Sequence, residues 1–533
     1  MKILFTGETP RLPESDPQRD RSAGVPRLSD HLLTKHHARL LRPDDAPVMA
    51  GAAAPGATVY RYNRLLMCHR LLGDQEKLSE MDQALASRGL RVDRSVLGKG
   101  PLSPRFHRVD VAVGDAERPG TVDAWQVLQN LRGAVDLGHC SPEVTSRMRL
   151  EHLMVGSALQ GAGAFLGMGD DQGEPRGGVP VPGNYLARAY SGRMPVDLVV
   201  PMPRRRPLSA VPGGRRPVVA VLDSGVSPTH PAFEVSERQD RADTFVTVDS
   251  ALQEELAAGA DPESPQIHGP WDVMVTESSL TGEITSHFGH GTFITGLIRQ
   301  LAPDAQVRSI RVMHNDGMVY EHECLAALVS LVEEVERARA GDPTAQPVDL
   351  VCLSFGYTDE DPDDRPGGPI AAAIDRLTDL GVPVVAAAGN YASTRPFYPA
   401  AFAAGSRPQQ AAPVISVGAL NPNGSVAMFS NDGPWVSCFA TGAALVSTFP
   451  TYADGAENPW RSSRPGGRHR ETMDPDDFGS GYAVWSGTSF AAPLVAARLA
   501  AALLDHADTT DLASQELAAV THRVQAAVKA IGG

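Results

Sequence analysis

The chain has 533 residues, 42% of them hydrophobic and 21% charged, which is long enough for two or three soluble globular domains. A net charge of −15 argues against a nucleic-acid binder, because phosphate contacts need a basic surface. Five cysteines (Cys68, Cys140, Cys324, Cys352, Cys438) are scattered without paired metal spacing, a pattern that suits a reducing compartment better than a disulfide framework.

In chain order, residues 1–55 are rich in Pro, Arg, Asp and Gly with little periodicity, which predicts mostly irregular structure. Residues 1–8 hold only a three-residue apolar run, against the roughly 7–15 residues of a secretory h-region. No segment approaches the ~18 apolar residues of a membrane helix. The expectation is a cytoplasmic protein with no membrane partner.

Residues 56–156 change character and predict a small α+β domain. A strand reads over 58–67. Asp74 caps a helix whose Leu78, Met81 and Leu85 share a face and which Gly89 ends. Extended structure resumes at 90–92, and 108–113 alternates as a half-buried strand does. Val122, Trp125, Leu128 and Leu131 mark a second helix, and 148–155 closes the unit as a last strand. The order β-α-β-β-α-β is a ferredoxin-like arrangement; the alternative is an unrelated small domain that binds a partner. Residues 157–216 are Gly/Pro-rich and read as a linker. Its arginines (204–206, 215, 216) suit either a solvated face or a processing site for an arginine-directed peptidase.

Residues 217–533 alternate strands with helices. Strands are predicted at 218–222, 307–313, 348–354, 382–387 and 414–419. Helices are predicted at 290–300, 321–339, 368–380 and 489–504, with an outer amphipathic helix over 512–531. This alternation predicts an α/β domain, a parallel sheet covered by helices on both faces.

Four stretches in this domain carry chemistry. Around Ser489, the run Trp485-Ser486-Gly487-Thr488-Ser489-Phe490-Ala491-Ala492-Pro493 sets a serine at the mouth of a helix. There its own N–H and the helix dipole are available to an oxyanion, and Gly487 allows something to pass close in front. Read alone, the run equally suits a turn leading into a buried helix. Asp223 ends an apolar strand ahead of Ser224-Gly225, His290 opens a helix as His-Gly-Thr, and Asn390 follows Gly389 at the end of another apolar strand. Asp-Ser-Gly, His-Gly-Thr, Ala-Gly-Asn and Gly-Thr-Ser-x-Ala-x-Pro, in this order, closely resemble the subtilisin-like serine peptidases over roughly residues 215–505.

The resemblance implies a subtilisin-like sheet and a role for each residue. Ser489 would be the nucleophile, and His290 the base that later protonates the leaving amine. Asp223 would hold the imidazole in the right tautomer, and Asn390 would donate to the oxyanion beside the Ser489 N–H. Ser354, Phe355 and Gly356 would pair with an extended substrate. Ala387, Ala388 and Gly389 would line one wall of the primary specificity pocket. Phe397 stands where the family often has a small residue before Tyr-Pro. It would shorten the pocket in favour of small side chains, unless it packs into the core or out to solvent. The unit 56–156 is similar to the propeptide domains that assist subtilase folding and block the cleft with their C-terminal tail.

His287 lacks the Gly-Thr that follows His290 and is expected to be a surface or loop histidine, like His230 and His314. Asp223 and His290 are 67 residues apart, longer than in compact members. The excess around 236–285, and a second insertion near 452–482, either flank the cleft or are passive surface loops. No calcium loop has convincing ligand spacing, so no cofactor is expected and a structural calcium, though possible, is unsupported. The leading expectation is an intracellular serine endopeptidase acting on peptides or proteins and restrained by its N-terminal domain. A ligase or cyclase would use the same triad with water kept out. A non-catalytic peptide-binding module would need neither a complete triad nor Asn390.

Overall fold

The computed structural model describes residues 3–12, 24–26, 28–49, 51–94, 106–114, 120–158, 193–260, 263–276, 280–361, 368–505 and 512–532. The larger sheet runs in the order Ile3–Phe5, Cys438–Thr441, Val414–Leu420, Val384–Ala387, Leu350–Leu353, Val218–Asp223, Gln306–Arg311, Val246–Val248, Val235–Glu237. All neighbours are parallel except Ile3–Phe5, which runs antiparallel to Cys438–Thr441. The central strands are unbroken apolar runs because both of their faces are buried. Val219 and Val221 point into one core with the helices His290–Leu301 and Thr488–Asp505. Ala220 and Leu222 point into the other, with Glu321–Arg339 and Pro369–Asp379. The two-residue period of a strand thus feeds two helical layers, the α/β architecture expected.

The predicted strands and helices of this domain recur within a few residues of their expected ends, the outer helix as Leu517–Gly532. Two expectations gain detail. The polar stretch 236–285 is not merely a surface loop: its region supplies the edge strand Val246–Val248 and the helix Ser250–Ala258, whose cap Asp249 accepts the Leu252 N–H. Residues 1–55 also contain regular structure, namely Ile3–Phe5, the Ser29-capped helix Asp30–Lys35 and the strand Ala38–Leu41. These elements are too short to leave a periodic signal. Thr488–Asp505 is long and apolar enough to cross a membrane, but it lies mostly buried between the sheet and its neighbouring helices.

The second sheet is antiparallel, in the order Met318–Tyr320, Met148–Gly156, Thr58–Cys68, Phe106–Val113, Leu90–Asp93. Four of these strands, with the helices Gln75–Ala86 and Ala124–Asp136, form the N-terminal unit in β-α-β-β-α-β chain order. Asp74 and Asp123 cap the two helices. Leu78, Met81 and Leu85 share a core with Trp125, Leu128 and Leu131. The fifth strand, Met318–Tyr320, belongs to the larger domain, as does Phe355–Gly356, which pairs with the end of Met148–Gly156. The last strand of the N-terminal unit therefore runs between two strands of its neighbour.

Of the predicted linker, residues 159–192 lie outside the described residues. The remainder is fastened down rather than draped. Arg193 is fully buried and donates to the carbonyls of Thr285, Ser286 and Phe288. Met194–Pro195 pairs with Tyr482–Trp485. Arg205 and Arg216 bond Asp243, Arg206 bonds Asp304 and Arg215 bonds Asp349, so these arginines hold the segment to the sheet and are not a free solvated face.

Candidate active site

Asp223 ends its strand at the carboxyl edge of the sheet, where a parallel sheet presents its ligands. Its Oδ1 lies 2.7 Å from His290 Nδ1 and also accepts the Ser224 N–H at 2.8 Å. His290 is the first residue of its helix and is fully buried against the rings of Trp485 and Phe490. Under this helix start, Asp272 accepts the Gly289 N–H at 3.1 Å and the Thr292 hydroxyl at 2.9 Å. Burial pushes the Asp272 carboxyl up to about 6.

Ser489 is the second residue of Thr488–Asp505. Pro493 lies four residues on and has no N–H to give to the Ser489 carbonyl. The Ser354 hydroxyl fills that gap, donating to the Ser489 carbonyl at 3.0 Å, and the Ser489 hydroxyl donates back to the Ser354 carbonyl at 2.9 Å. His290 Nε2 has no hydrogen-bond partner among the described residues, so the serine is turned to Ser354 and not to the imidazole.

Asn390 is held by its own amide oxygen, which accepts the Thr488 N–H and the Thr488 hydroxyl, each at 2.9 Å. That fixes which way its Nδ2 faces. The Nδ2 donates to the Ser157 carbonyl oxygen at 2.5 Å, and the Ser489 N–H donates to the same oxygen at 3.1 Å. Two donors thus converge on one carbonyl of the N-terminal unit. The strand leading to it is anchored on both sides: the Gly156 N–H donates to the Gly317 carbonyl at 2.8 Å, and the Ser157 N–H to the Ser354 carbonyl at 3.0 Å. Phe355 pairs with Gly156 and Gly356 with Val155 on one flank, and Met318 pairs with Val155 on the other. A Cβ on Gly487 would stand 2.5 Å from the Ser157 oxygen and 2.9 Å from the Ala158 Cα, and its φ of +156° is itself rare for other residues. What passes in front of Gly487 is the Ser157–Ala158 peptide.

Residues 214–529 match the profile of the subtilase family. The chain belongs to that family. Thermophilic serine proteinase of Bacillus sp. (strain AK1) is 27% identical over 278 residues, 52% of this chain and 50% of that protein. Serine protease AprX of Bacillus subtilis (strain 168) is 26% identical over 326 residues, 57% of this chain and 66% of that protein. Mycosin-4 of Mycobacterium tuberculosis is 29% identical over 239 residues, 40% of this chain and 48% of that protein. The matches thus span about half to two thirds of these relatives' length. A cold adapted subtilisin-like serine proteinase of known structure aligns with 57% of this chain and 79% of its own at 17% identity and a TM-score of 0.35.

In this subtilase, Ser354, Phe355 and Gly356 all meet the inserted strand. Ala387 and Ala388 are fully buried at the end of their strand, Ala388 accepting from the Asn431 side chain at 2.8 Å. The Gly389 N–H donates to the Thr488 hydroxyl at 3.0 Å. Phe397 is fully buried in the core, and its ring also lies 2.5 Å from where a Gly356 Cβ would be and 2.9 Å from a Gly389 Cβ. Its ring is core packing, and it takes the space that the two missing side chains leave.

The three histidines expected at the surface or in loops do lie in loops or turns, but not at the surface. His287, His230 and His314 are all buried. His230 Nε2 pairs with the Gly481 carbonyl at 2.8 Å, and its ring stacks on Phe233. His314 packs between the rings of His36 and Tyr320. His287 lies beside His290 and against Gly156 of the inserted strand. Its own spacing from His290 gives no helical or strand signal, and only the small neighbours Gly156 and Gly317 could have hinted at a ring seated between them. Asp272 was missed because it sits in a segment that read as optional. His152, Asp359 and Glu360 could hold a metal ion by spacing, but His152 already bonds two glutamates and Arg149 stands 3.5 Å from Asp359.

Proposed function

We propose that the chain is a subtilisin-type serine endopeptidase that carries its own first substrate. The observation that carries this reading is the Ser157 carbonyl oxygen, held by the Ser489 N–H and Asn390 Nδ2. Those are the two donors an acyl-transfer oxyanion needs. In the proposed reaction the Ser489 hydroxyl swings from Ser354 toward His290 and attacks the Ser157 carbonyl carbon. His290 Nε2 takes the proton and gives it to the departing Ala158 amine, and Asp223 stabilises the imidazolium through Nδ1. Water then releases the acyl group. The N-terminal unit, with its last strand in the cleft, is the restraint. The five free cysteines, four of them buried, support an intracellular setting.

The test is intact-mass analysis with a fluorophosphonate probe. The expected result is one probe per wild-type chain, none on Ser489→Ala, and a wild-type fragment beginning at Ala158. Absence of labelling on both the full chain and a chain cut in the 159–192 segment by an added protease would overturn the peptidase reading. Labelling of an uncut chain would overturn self-cleavage alone.

A further inference from the structure

We propose that His287 makes this cleft selective for glycine immediately before the residue that is acylated. The inference rests on the peptidase reading and names its substrate class: extended peptides carrying glycine followed by a small residue, cut after the small residue. Gly156 holds the glycine position in the inserted strand. A Cβ there would stand 2.7 Å from both His287 Cδ2 and Nε2 and 3.1 Å from Met313 Cε, closer to the imidazole than real side-chain carbons come.

A flexible neighbour could yield, but this ring cannot. His287 is fully buried. Its backbone N–H is tied to the Asn315 carbonyl at 2.8 Å, and its Nδ1 lies 3.1 Å from the Ser286 hydroxyl. On the side away from Gly156 stands Gly317, whose Cβ would lie 2.3 Å from Nδ1, so the ring already uses the space a second missing side chain leaves. Gly317 also supplies the carbonyl that binds the Gly156 N–H. Retreat of the ring would therefore disturb the strand that grips the substrate. His290 closes a third side, 5.3 Å between ring centroids. Burial and the neighbouring His290 push His287 well below the ordinary histidine range, so the ring is neutral and adds shape and not charge. A rigid steric wall discriminates strongly because overpacking has no soft route of escape.

Two measurements test this. In a Ser489→Ala chain, which cannot cut, amide hydrogen exchange over residues 150–158 reports how well the strand sits. Gly156→Ala is expected to lower its protection about tenfold or more, and adding His287→Gly to restore it. Protection unchanged by Gly156→Ala, or lost without rescue, would overturn the role of His287 whether or not the chain is a peptidase. In the wild-type enzyme, Met-Val-Gly-Ser-Ala peptides are expected to be cut about 10–200-fold faster than Met-Val-Ala-Ser-Ala. Equal, measurable rates from an unlabelled preparation, a separate portion of which takes up the probe at Ser489, would overturn the selectivity and leave the peptidase reading intact.

Discussion

Asn390 contributes through one hydrogen atom. Thr488 fixes its amide oxygen, and the Nδ2 it leaves free points at the carbonyl oxygen of Ser157. Asn390→Ala should lower kcat by about 10²–10³ with KM little changed, a size measured for such a donor in subtilisin itself. Steady-state kinetics on a peptide cut after Gly-Ser would check it, and an equal loss in KM would point instead to misplaced substrate. Phe397 is the opposite kind of residue, a core ring that also stands against Gly356 and Gly389. Phe397→Ala should cost about 3–5 kcal/mol of stability and, in the molecules that stay folded, admit residues larger than serine before the scissile bond. Thermal melts and product sequencing on a mixed peptide library separate the two effects.

One scale up, the helix that carries Ser489 begins with a defect. Pro493 leaves the Ser489 carbonyl without its helical donor, and the Ser354 hydroxyl, at the end of a neighbouring strand segment, supplies one. Removing it leaves a buried acceptor unpaired, so Ser354→Ala should destabilise the fold by about 1–3 kcal/mol. A melting temperature within error of wild type would mean that the helix start relaxes to satisfy itself. The same junction explains what could be read in the sequence. Strand ends that deliver Asp223 and Asn390, and helix starts that deliver His290 and Ser489, are local events. Apolar runs, turn glycines and helical spacing mark each of them. The pairing of Ser354 with Ser489 joins residues 135 positions apart, and the approach of Gly156 to His287 is equally non-local. Neither leaves a period in the chain, which is why the burial of His287 was not legible and why the cleft strand read as ending a separate unit. The short edge strand Ile3–Phe5 escaped for a related reason, since three residues carry too little pattern to be recognised.

Beside the backbone pairing that joins the N-terminal unit to the larger domain lies a cluster of buried charge. His152, on the inserted strand, lies 2.8 Å from Glu321 and 2.7 Å from Glu360, both in the larger domain, with its ring stacked on Tyr357. Arg149 and Asp359 complete the cluster. Burial alone would lower the His152 pKa, but Glu360 and Glu321 outweigh it and hold the histidine well above its ordinary value of 6.5. Burial and then Glu360 push Asp359 up to about 7, while His152 overcomes burial to hold Glu360 below the usual carboxylate range. The signs follow from linkage. A raised histidine contributes docking stability that is full below 6.5 and lost as pH rises through its shifted value. The raised Asp359 acts in the same direction: its contribution is full below 3.8, declines from there and is gone by about pH 7. The lowered Glu360 contributes above 4.5 and fails only in stronger acid. The N-terminal unit should therefore sit most firmly at about pH 4, loosen up to about 7 as Asp359 ionises, and loosen further above 6.5 as His152 loses its proton. In a Ser489→Ala chain, the melting temperature and the exchange protection of residues 150–158 should fall together from pH 6.5 to 9, and His152→Gln should flatten that fall. A flat profile in the parent chain would mean that the backbone pairing with Met318–Tyr320 and Phe355–Gly356 holds the unit without help from charge.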